Sequence, residues 1–162
     1  KMEMSSANLR PATIEDVPLI LQFIRELAEY ERMLDDVVAT EEMLRETLFG
    51  SRPAAEVILC HEGEVPAGFA LSFHNYSTFR GKPGIYLEDL FVRQAYRGKG
   101  YGKLLLAALA KLCVERNCAR LEWSVLDWNT PSIEFYKSLG AVPMDEWTVF
   151  RLTGEQLNRL AE

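Results

Sequence analysis

Apolar positions change their period several times along the chain, and each change predicts an element. Asn8-Leu9-Arg10-Pro11-Ala12 predicts a short first strand. Thr13-Ile14-Glu15-Asp16 then reads as a helix start, a capping hydroxyl followed by acidic residues in the first turn. Leu19, Phe23, Ile24, Leu27 and Ala28 recur at helical spacing, so the helix is expected to run to about Arg32. Thr40-Glu41-Glu42 opens a second helix that ends near Gly50.

The period then shortens. Glu56–Cys60 and Ala67–Phe73 predict two strands joined by a hairpin turn at Glu62-Gly63-Glu64. A third strand, Gly84–Val92, leads into a glycine-rich segment, and Leu105, Ala108, Leu109 and Leu112 beyond it mark the buried face of a helix. Arg120–Leu126 predicts a strand, Thr130–Leu139 a helix stopped by Gly140, and Thr148–Leu152 a last strand before a short final helix. Hairpins followed by a strand–helix–strand crossover imply an α/β fold with a mixed sheet. That order alone serves many functions.

Composition narrows the class. The 162 residues suit one domain, expected over 8–162; residues 1–7, with Lys1-Met2-Glu3-Met4 at their head, are expected to be disordered or extraneous. Hydrophobic residues make up 48% and charged residues 26%, too apolar for a disordered chain. No apolar run reaches the roughly 18 residues of a membrane span, and no signal-peptide pattern opens the chain. The net charge of −6 disfavours nucleic acid and favours a small cationic partner. Cys60, Cys113 and Cys118 are odd in number and lack zinc spacing, which fits a reduced cytoplasmic setting; Cys113 lies on an apolar helix and is expected to pack rather than react. His61 and His74 are isolated strand-flanking residues, so no metal is expected.

The glycine segment Arg97-Gly98-Lys99-Gly100-Tyr101-Gly102 carries the strongest chemical signal. Glycines without a Cβ let successive N–H groups converge on one anion, and a helix start adds unpaired N–H groups and its positive dipole end. Together these make a phosphate cradle, with Lys99 and Lys103 able to add charge at its rim. A P-loop is excluded because Gly102-Lys103 is followed by Leu104 rather than Ser or Thr. A dinucleotide fingerprint would place its third glycine one residue later, and a kinase loop would require partners the chain lacks. The plain alternative is a glycine-rich connection with no ligand.

Arg97 to Gly102 also matches the Q/R-x-x-G-x-G/A signature of the GNAT superfamily of N-acetyltransferases, between strand and helix where that family places it. Arg10-Pro11-Ala12-Thr13, Glu26–Glu31, Tyr86-Leu87-Glu88-Asp89 and Asp127–Tyr136 resemble its diamine branch, the spermidine/spermine and thialysine acetyltransferases. The resemblance spans about residues 8 to 160. It implies the N-acetyltransferase fold, a mixed, mostly antiparallel sheet flanked by helices, with acetyl-CoA as co-substrate. It further implies that Leu90, Phe91 and Val92 pair with the pantetheine arm, and that Gly98, Lys99, Gly100, Tyr101, Gly102 and Lys103, following Arg97, hold the pyrophosphate. Asn129, Thr130, Pro131 and Ser132 would line the far side of the cofactor cleft.

Acetyl transfer to an amine needs a base, because an alkylammonium with a pKa near 10 has no lone pair. The resemblance selects Glu88, acting directly or through a water; alternation along the strand would send only one of Glu88 and Asp89 into the cleft. Tyr136 is the candidate acid toward the departing sulfur, since a phenol stays protonated at neutral pH. Without the resemblance, Glu88 would read as a half-exposed strand carboxylate and Tyr136 as a core aromatic. Tyr30, Glu31, Glu122, Trp123, Ser124 and Glu146 match amine-pocket positions of the branch, with Asp145 beside Glu146 a looser match. The branch dimerises with pocket residues shared between subunits, so a homodimer is expected.

The polyamine enzymes carry an acidic-Pro-Trp stretch before the Tyr-Leu-Glu-Asp strand, where this chain has Tyr76-Ser77-Thr78-Phe79 and a loop one residue longer. Ser77-Thr78 looks more like the thialysine branch, and losing that carboxylate weakens the hold on a second, distant ammonium. The expected acceptor is a small cationic amine (a thialysine-like amino acid, a diamine or a polyamine), with a smaller amine or amino-acid side-chain amine preferred over spermine. The alternatives are a peptide or protein N-acetyltransferase on the same scaffold and a non-catalytic acyl-CoA sensor.

Overall fold

The computed structural model describes residues 7–162. The expectation for residues 1–6 lies outside them, and Ala7, set apart with these at the sequence level, instead opens the first strand. The chain forms two compact units whose boundary falls between Ser124 and Val125.

The first unit runs β1 (Ala7–Pro11), α1 (Val17–Tyr30), α2 (Glu41–Phe49), β2 (Glu56–Glu62), β3 (Val65–Ser77), β4 (Lys82–Val92), α3 (Tyr101–Glu115) and β5 (Leu121–Trp123). The sheet order is β1-β2-β3-β4-β5, antiparallel up to β4 and parallel between β4 and β5. This is the mixed, mostly antiparallel sheet flanked by helices that the chain predicts. Helix α3 supplies the crossover that parallel pairing requires.

Local chemistry fixes the corners. Arg10 donates to both carboxylate oxygens of Asp16 at 2.8 Å, and the Thr13 N–H donates to Asp16 Oδ2 at 2.8 Å. The Arg10 guanidinium thereby holds the Asp16 carboxyl down at about 2. That clip joins β1 to the start of α1. At the β2–β3 hairpin, Gly63 at φ 60° takes the first of two turn positions, where glycine avoids the strain of a Cβ.

Val17, Ile20, Leu21 and Phe23 of α1 pack with Leu44 and Leu48 of α2 against Val57, Leu59, Phe69 and Phe91 of the sheet. Phe23 stacks on Phe69 at 5.3 Å between ring centres, and each such fully buried ring is worth roughly 1.5–3 kcal/mol. Helix α3 contacts β2 to β5 with Leu105, Leu106, Leu109 and Cys113 buried outside that cluster, so it covers the other face. Cys60 and Cys113 are buried free thiols, both pushed up by burial, and Cys113 donates to the Arg120 carbonyl at 3.2 Å. His61 and His74 lie within β2 and β3 rather than beside them.

The second unit holds α4 (Thr130–Ser138) and α5 (Gly154–Leu160). Asn129 caps α4, its Oδ1 accepting the Ser132 N–H at 3.4 Å, and Gly140 at φ 89° follows the helix end. Two strand expectations need correction. The strand expected over Arg120–Leu126 is only Leu121–Trp123, because β5 pairs with Ile85, Tyr86 and Leu87 and with nothing beyond them on β4. Thr148–Leu152 forms no strand. Its β-branched pattern supplies propensity, but a strand exists only through a ladder, and no described strand pairs with it. Val149 and Phe150 are 84% and 92% exposed.

Candidate active site

The site is organised by one irregularity in β4. Leu71 pairs with Asp89 but Ser72 pairs with Leu87, so Glu88 has no opposite residue. Such a bulge flips which face the following residues present. Phe91 therefore enters the α1 core, and Asp89 lines a cavity of about 190 Å³ with Ile24, Leu27, Ala28, Glu31 and Asp36. Of the two neighbouring carboxylates, Asp89 is the one that lines this hollow.

Three carboxylates now act on one another. Burial first, then the charges of Glu88 and Glu31, push the Asp89 carboxyl up to about 6. Burial and the Glu88 charge likewise push Glu31 up. Glu88 itself is exposed. An apolar hollow with this much negative charge at its wall is built for an organic cation.

Beyond the bulge, Leu90, Phe91 and Val92 pair with β3 through Ala70, Phe69 and Gly68, while β5 has already ended at Trp123. That stretch of β4 therefore has no β5 partner, leaving an edge that an extended ligand arm can join. The chain turns at Gln94–Tyr96 and reaches the glycine segment. Gly98 and Gly100 sit at φ 79° and 84°, and a Cβ added at Gly98, Gly100 or Gly102 would meet nothing within 4 Å. The opening of α3 is thus an uncovered, glycine-rich run of backbone at a helix start, which fits a pyrophosphate.

Two side chains of this segment are already engaged. Arg97 Nε donates to the Val92 carbonyl at 2.9 Å, and its guanidinium lies over Tyr30 at 4.8 Å and Phe91 at 5.7 Å. Lys99, expected at the phosphate rim, instead donates to Glu62 at 2.6 Å, beside the Tyr101 hydroxyl, which donates to the same Glu62 oxygen at 2.7 Å. Lys103 stays exposed.

Among the other candidates of the first unit, Glu122 accepts from Asn75 at 3.0 Å and pairs with Arg120 at 2.7 Å. Trp123 is half-buried, and Ser124 Oγ lies 2.6 Å from the Tyr86 hydroxyl. In the second unit, Asn129 is buried, Thr130 and Pro131 are exposed, and Ser132 is half-buried at the start of α4. Tyr136 is half-buried with its ring 5.6 Å from that of Phe135. Asp145 and Glu146 are exposed in an irregular segment.

Two residues escaped the sequence reading. Asp89 was set aside by strict alternation, and no sequence signal marks the bulge. Glu62 read only as a turn residue; its pairing is visible only once β2 lies beside the start of α3.

A bulged strand with no β5 partner beyond Trp123, a glycine-rich helix start and a carboxylate-lined hollow are the features from which the site is read. Comparison with known proteins makes this specific. Residues 21–141 match the model of the acetyltransferase (GNAT) family. The chain is 38% identical to the thialysine N-epsilon-acetyltransferase of Bos taurus, over 98% of this chain and 99% of that protein. It is 37% identical to the L-ornithine N5-acetyltransferase of Arabidopsis thaliana, over 95% of this chain and 87% of that protein. An integron cassette protein from the mobile metagenome of V. cholerae superposes with a TM-score of 0.81 at 31% identity, covering 99% of each chain. The chain belongs to the GNAT acetyltransferase family, in its diamine and thialysine branch, and is an amine N-acetyltransferase.

Proposed function

We propose that the protein transfers the acetyl group of acetyl-CoA to a primary amine of a small cationic acceptor: a thialysine-like or ornithine-like amino acid, or a short diamine. The observation that carries this reading is a hollow of about 190 Å³ lined by the carboxylates Glu31, Asp36 and Asp89, with the Glu88 charge acting on Glu31 and Asp89. The hollow accommodates one alkylammonium arm, and the names of the thialysine and ornithine relatives point the same way. At Ser77-Thr78, Ser77 Oγ accepts the Arg80 N–H at 3.3 Å, so this position serves the turn and supplies no carboxylate for a distant ammonium.

When bound, acetyl-CoA supplies the thioester carbonyl. Gly98 to Lys103 would hold its pyrophosphate and the open edge of Leu90, Phe91 and Val92 its pantetheine arm; in the second unit, Asn129, Thr130, Pro131 and Ser132 are the positions that the family resemblance assigns to the cofactor. Glu31 and Asp89 hold the ammonium, with Tyr30, Glu122, Trp123, Ser124 and Glu146 completing the acceptor site. Glu88, freed from the ladder by the bulge, takes the ammonium proton directly or through a water. The Tyr136 hydroxyl delivers a proton to the departing sulfur. Residues 8–162 act as one acetyltransferase domain, cytoplasmic and without a metal. Val142, Met144, Trp147, Val149 and Phe150 are 75%, 59%, 76%, 84% and 92% exposed, a stretch of apolar surface that supports a homodimer.

A thiol-release assay with acetyl-CoA and a panel of thialysine, ornithine, diaminobutane, spermidine and spermine tests donor, reaction and acceptor together. The small amines should show the higher kcat/KM, and a clear spermine preference would contradict the acceptor assignment. Tyr136→Phe should lose about 10²–10⁴-fold in kcat, the usual weight of a general acid, while CoA binding persists. Light scattering at micromolar concentration should give a dimer; a monomer would refute that part.

A further inference from the structure

We propose that Glu62, on the strand that ends behind the glycine segment, is a positioning residue for the donor: it presets the phosphate cradle by fixing the first residue of α3. This role rests on the reading of that segment as the acetyl-CoA site.

Glu62 closes β2, where its place is set by pairing to Val65 across the two-residue turn. A single oxygen, Oε1, accepts both the Lys99 ammonium at 2.6 Å and the Tyr101 hydroxyl at 2.7 Å. Those two donors bracket Gly100, whose φ of 84° gives the loop its turn into the helix. Tyr101 is the first residue of α3 and only 4% exposed. The carboxylate therefore grips the segment on both sides of its left-handed glycine. It does so through two side chains and takes up none of the segment's backbone N–H groups.

The two contacts differ in weight. Lys99 and Glu62 are 46% and 28% exposed, and ion pairs in water contribute little. The Tyr101 hydroxyl is attached to a buried ring, and removing Glu62 costs the hydrogen bond that holds this end of the side chain. The loss of order at the first turn of α3 then outweighs any gain from releasing Lys99 toward the phosphates. Glu62 touches no donor atom in this scheme, so its influence ends with the phosphates.

The test measures CoA affinity by calorimetry, and kcat and KM with both acetyl-CoA and S-acetylpantetheine, which lacks the pyrophosphate. Glu62→Ala and Tyr101→Phe should each weaken CoA binding about fivefold to tenfold, the effect of one lost hydrogen bond. The double variant should be no worse than the weaker single, because both remove the same bond. Glu62→Gln keeps an acceptor for Tyr101 and should recover most of the loss. In Glu62→Ala, KM for acetyl-CoA should rise while its kcat holds, and kcat/KM for S-acetylpantetheine should not move. Unchanged or tighter CoA binding in both Glu62→Ala and Tyr101→Phe overturns the role of Glu62, as does an equal loss with the truncated donor. If Glu62→Ala does not fold, Tyr101→Phe alone decides. Failure of the wild-type protein to bind CoA overturns the donor reading and this role with it.

Discussion

Arg97 lays its guanidinium over the ring of Tyr30, 4.8 Å from the ring centre, while its Nε donates to the Val92 carbonyl at 2.9 Å. One side chain of the glycine segment thus touches both the end of α1, beside the acidic hollow, and the strand edge proposed for the pantetheine arm. Arg97→Lys keeps the charge but loses the planar stack and the Nε bond. Its KM should rise for donor and amine alike. A double-mutant cycle with Tyr30→Ala should return a coupling of about 0.5–1 kcal/mol, and additive effects would show that the stack carries nothing.

The Asp89 carboxyl gives the protein a distinct pH response. Burial and the charges of Glu88 and Glu31 lift it from 3.8 to about 6. A carboxyl raised on folding binds its proton more tightly in the folded state, so its stabilisation is complete below pH 3.8 and is lost as pH rises through about 6. Asp89→Asn removes this dependence. Urea titrations should show the variant more stable than wild type at pH 7, by on the order of 2 kcal/mol, with the difference shrinking toward pH 4. A bound ammonium favours the ionised form, so diamine affinity measured without donor should increase from pH 5 to 7 in wild type and stay flatter in Asp89→Asn.

Gly100 and Gly102 should separate backbone strain from cradle shape. At φ 84° an alanine in place of Gly100 costs about 1–2 kcal/mol and puts a methyl into open space above the loop. Gly102 lies inside α3, where alanine is favoured by about 1 kcal/mol. Gly100→Ala should lower Tm and weaken CoA binding strongly. Gly102→Ala should raise Tm, with a loss of CoA affinity several-fold smaller, since the signature itself admits alanine there. Equal losses would mean that any Cβ along this rim blocks the phosphates.

Much of this was legible because it is local. Helical spacing from Leu19 to Ala28, the Glu62-Gly63-Glu64 turn and the glycine run each depend on residues close in sequence, and each appears where the chain predicts it. The bulge at Glu88 was not legible, since a register shift is a property of two strands and Leu71 lies 18 residues from Asp89. For the same reason Lys99 was assigned to the rim: nothing nearby in sequence announces Glu62. Thr148–Leu152 has the composition of a strand, yet its state depends on a partner that its own residues do not specify.

Arg93 is the clearest anchor between the core and the strand that carries the site. Its Nε and Nη2 donate to the two Glu26 oxygens at 3.0 and 2.9 Å, Nη1 donates to the Pro66 carbonyl at 3.1 Å, and the guanidinium lies 4.7 Å from the Phe23 ring centre. With side chains 22% and 30% exposed, this fork is half-sheltered from solvent. A lysine reaches Glu26 with a point charge but satisfies neither the second oxygen nor Pro66 in the same geometry. Arg93→Lys should therefore cost about 1–2 kcal/mol and Arg93→Ala about 2–3 kcal/mol, read as shifts of the urea midpoint with an unchanged m-value. Because the pair is half-sheltered, most of that cost should persist in 1 M NaCl, where exposed ion pairs are screened. A cost that vanishes in salt would mark the fork as a surface attraction and leave Phe23 and its neighbours as the sole tie between α1 and β4.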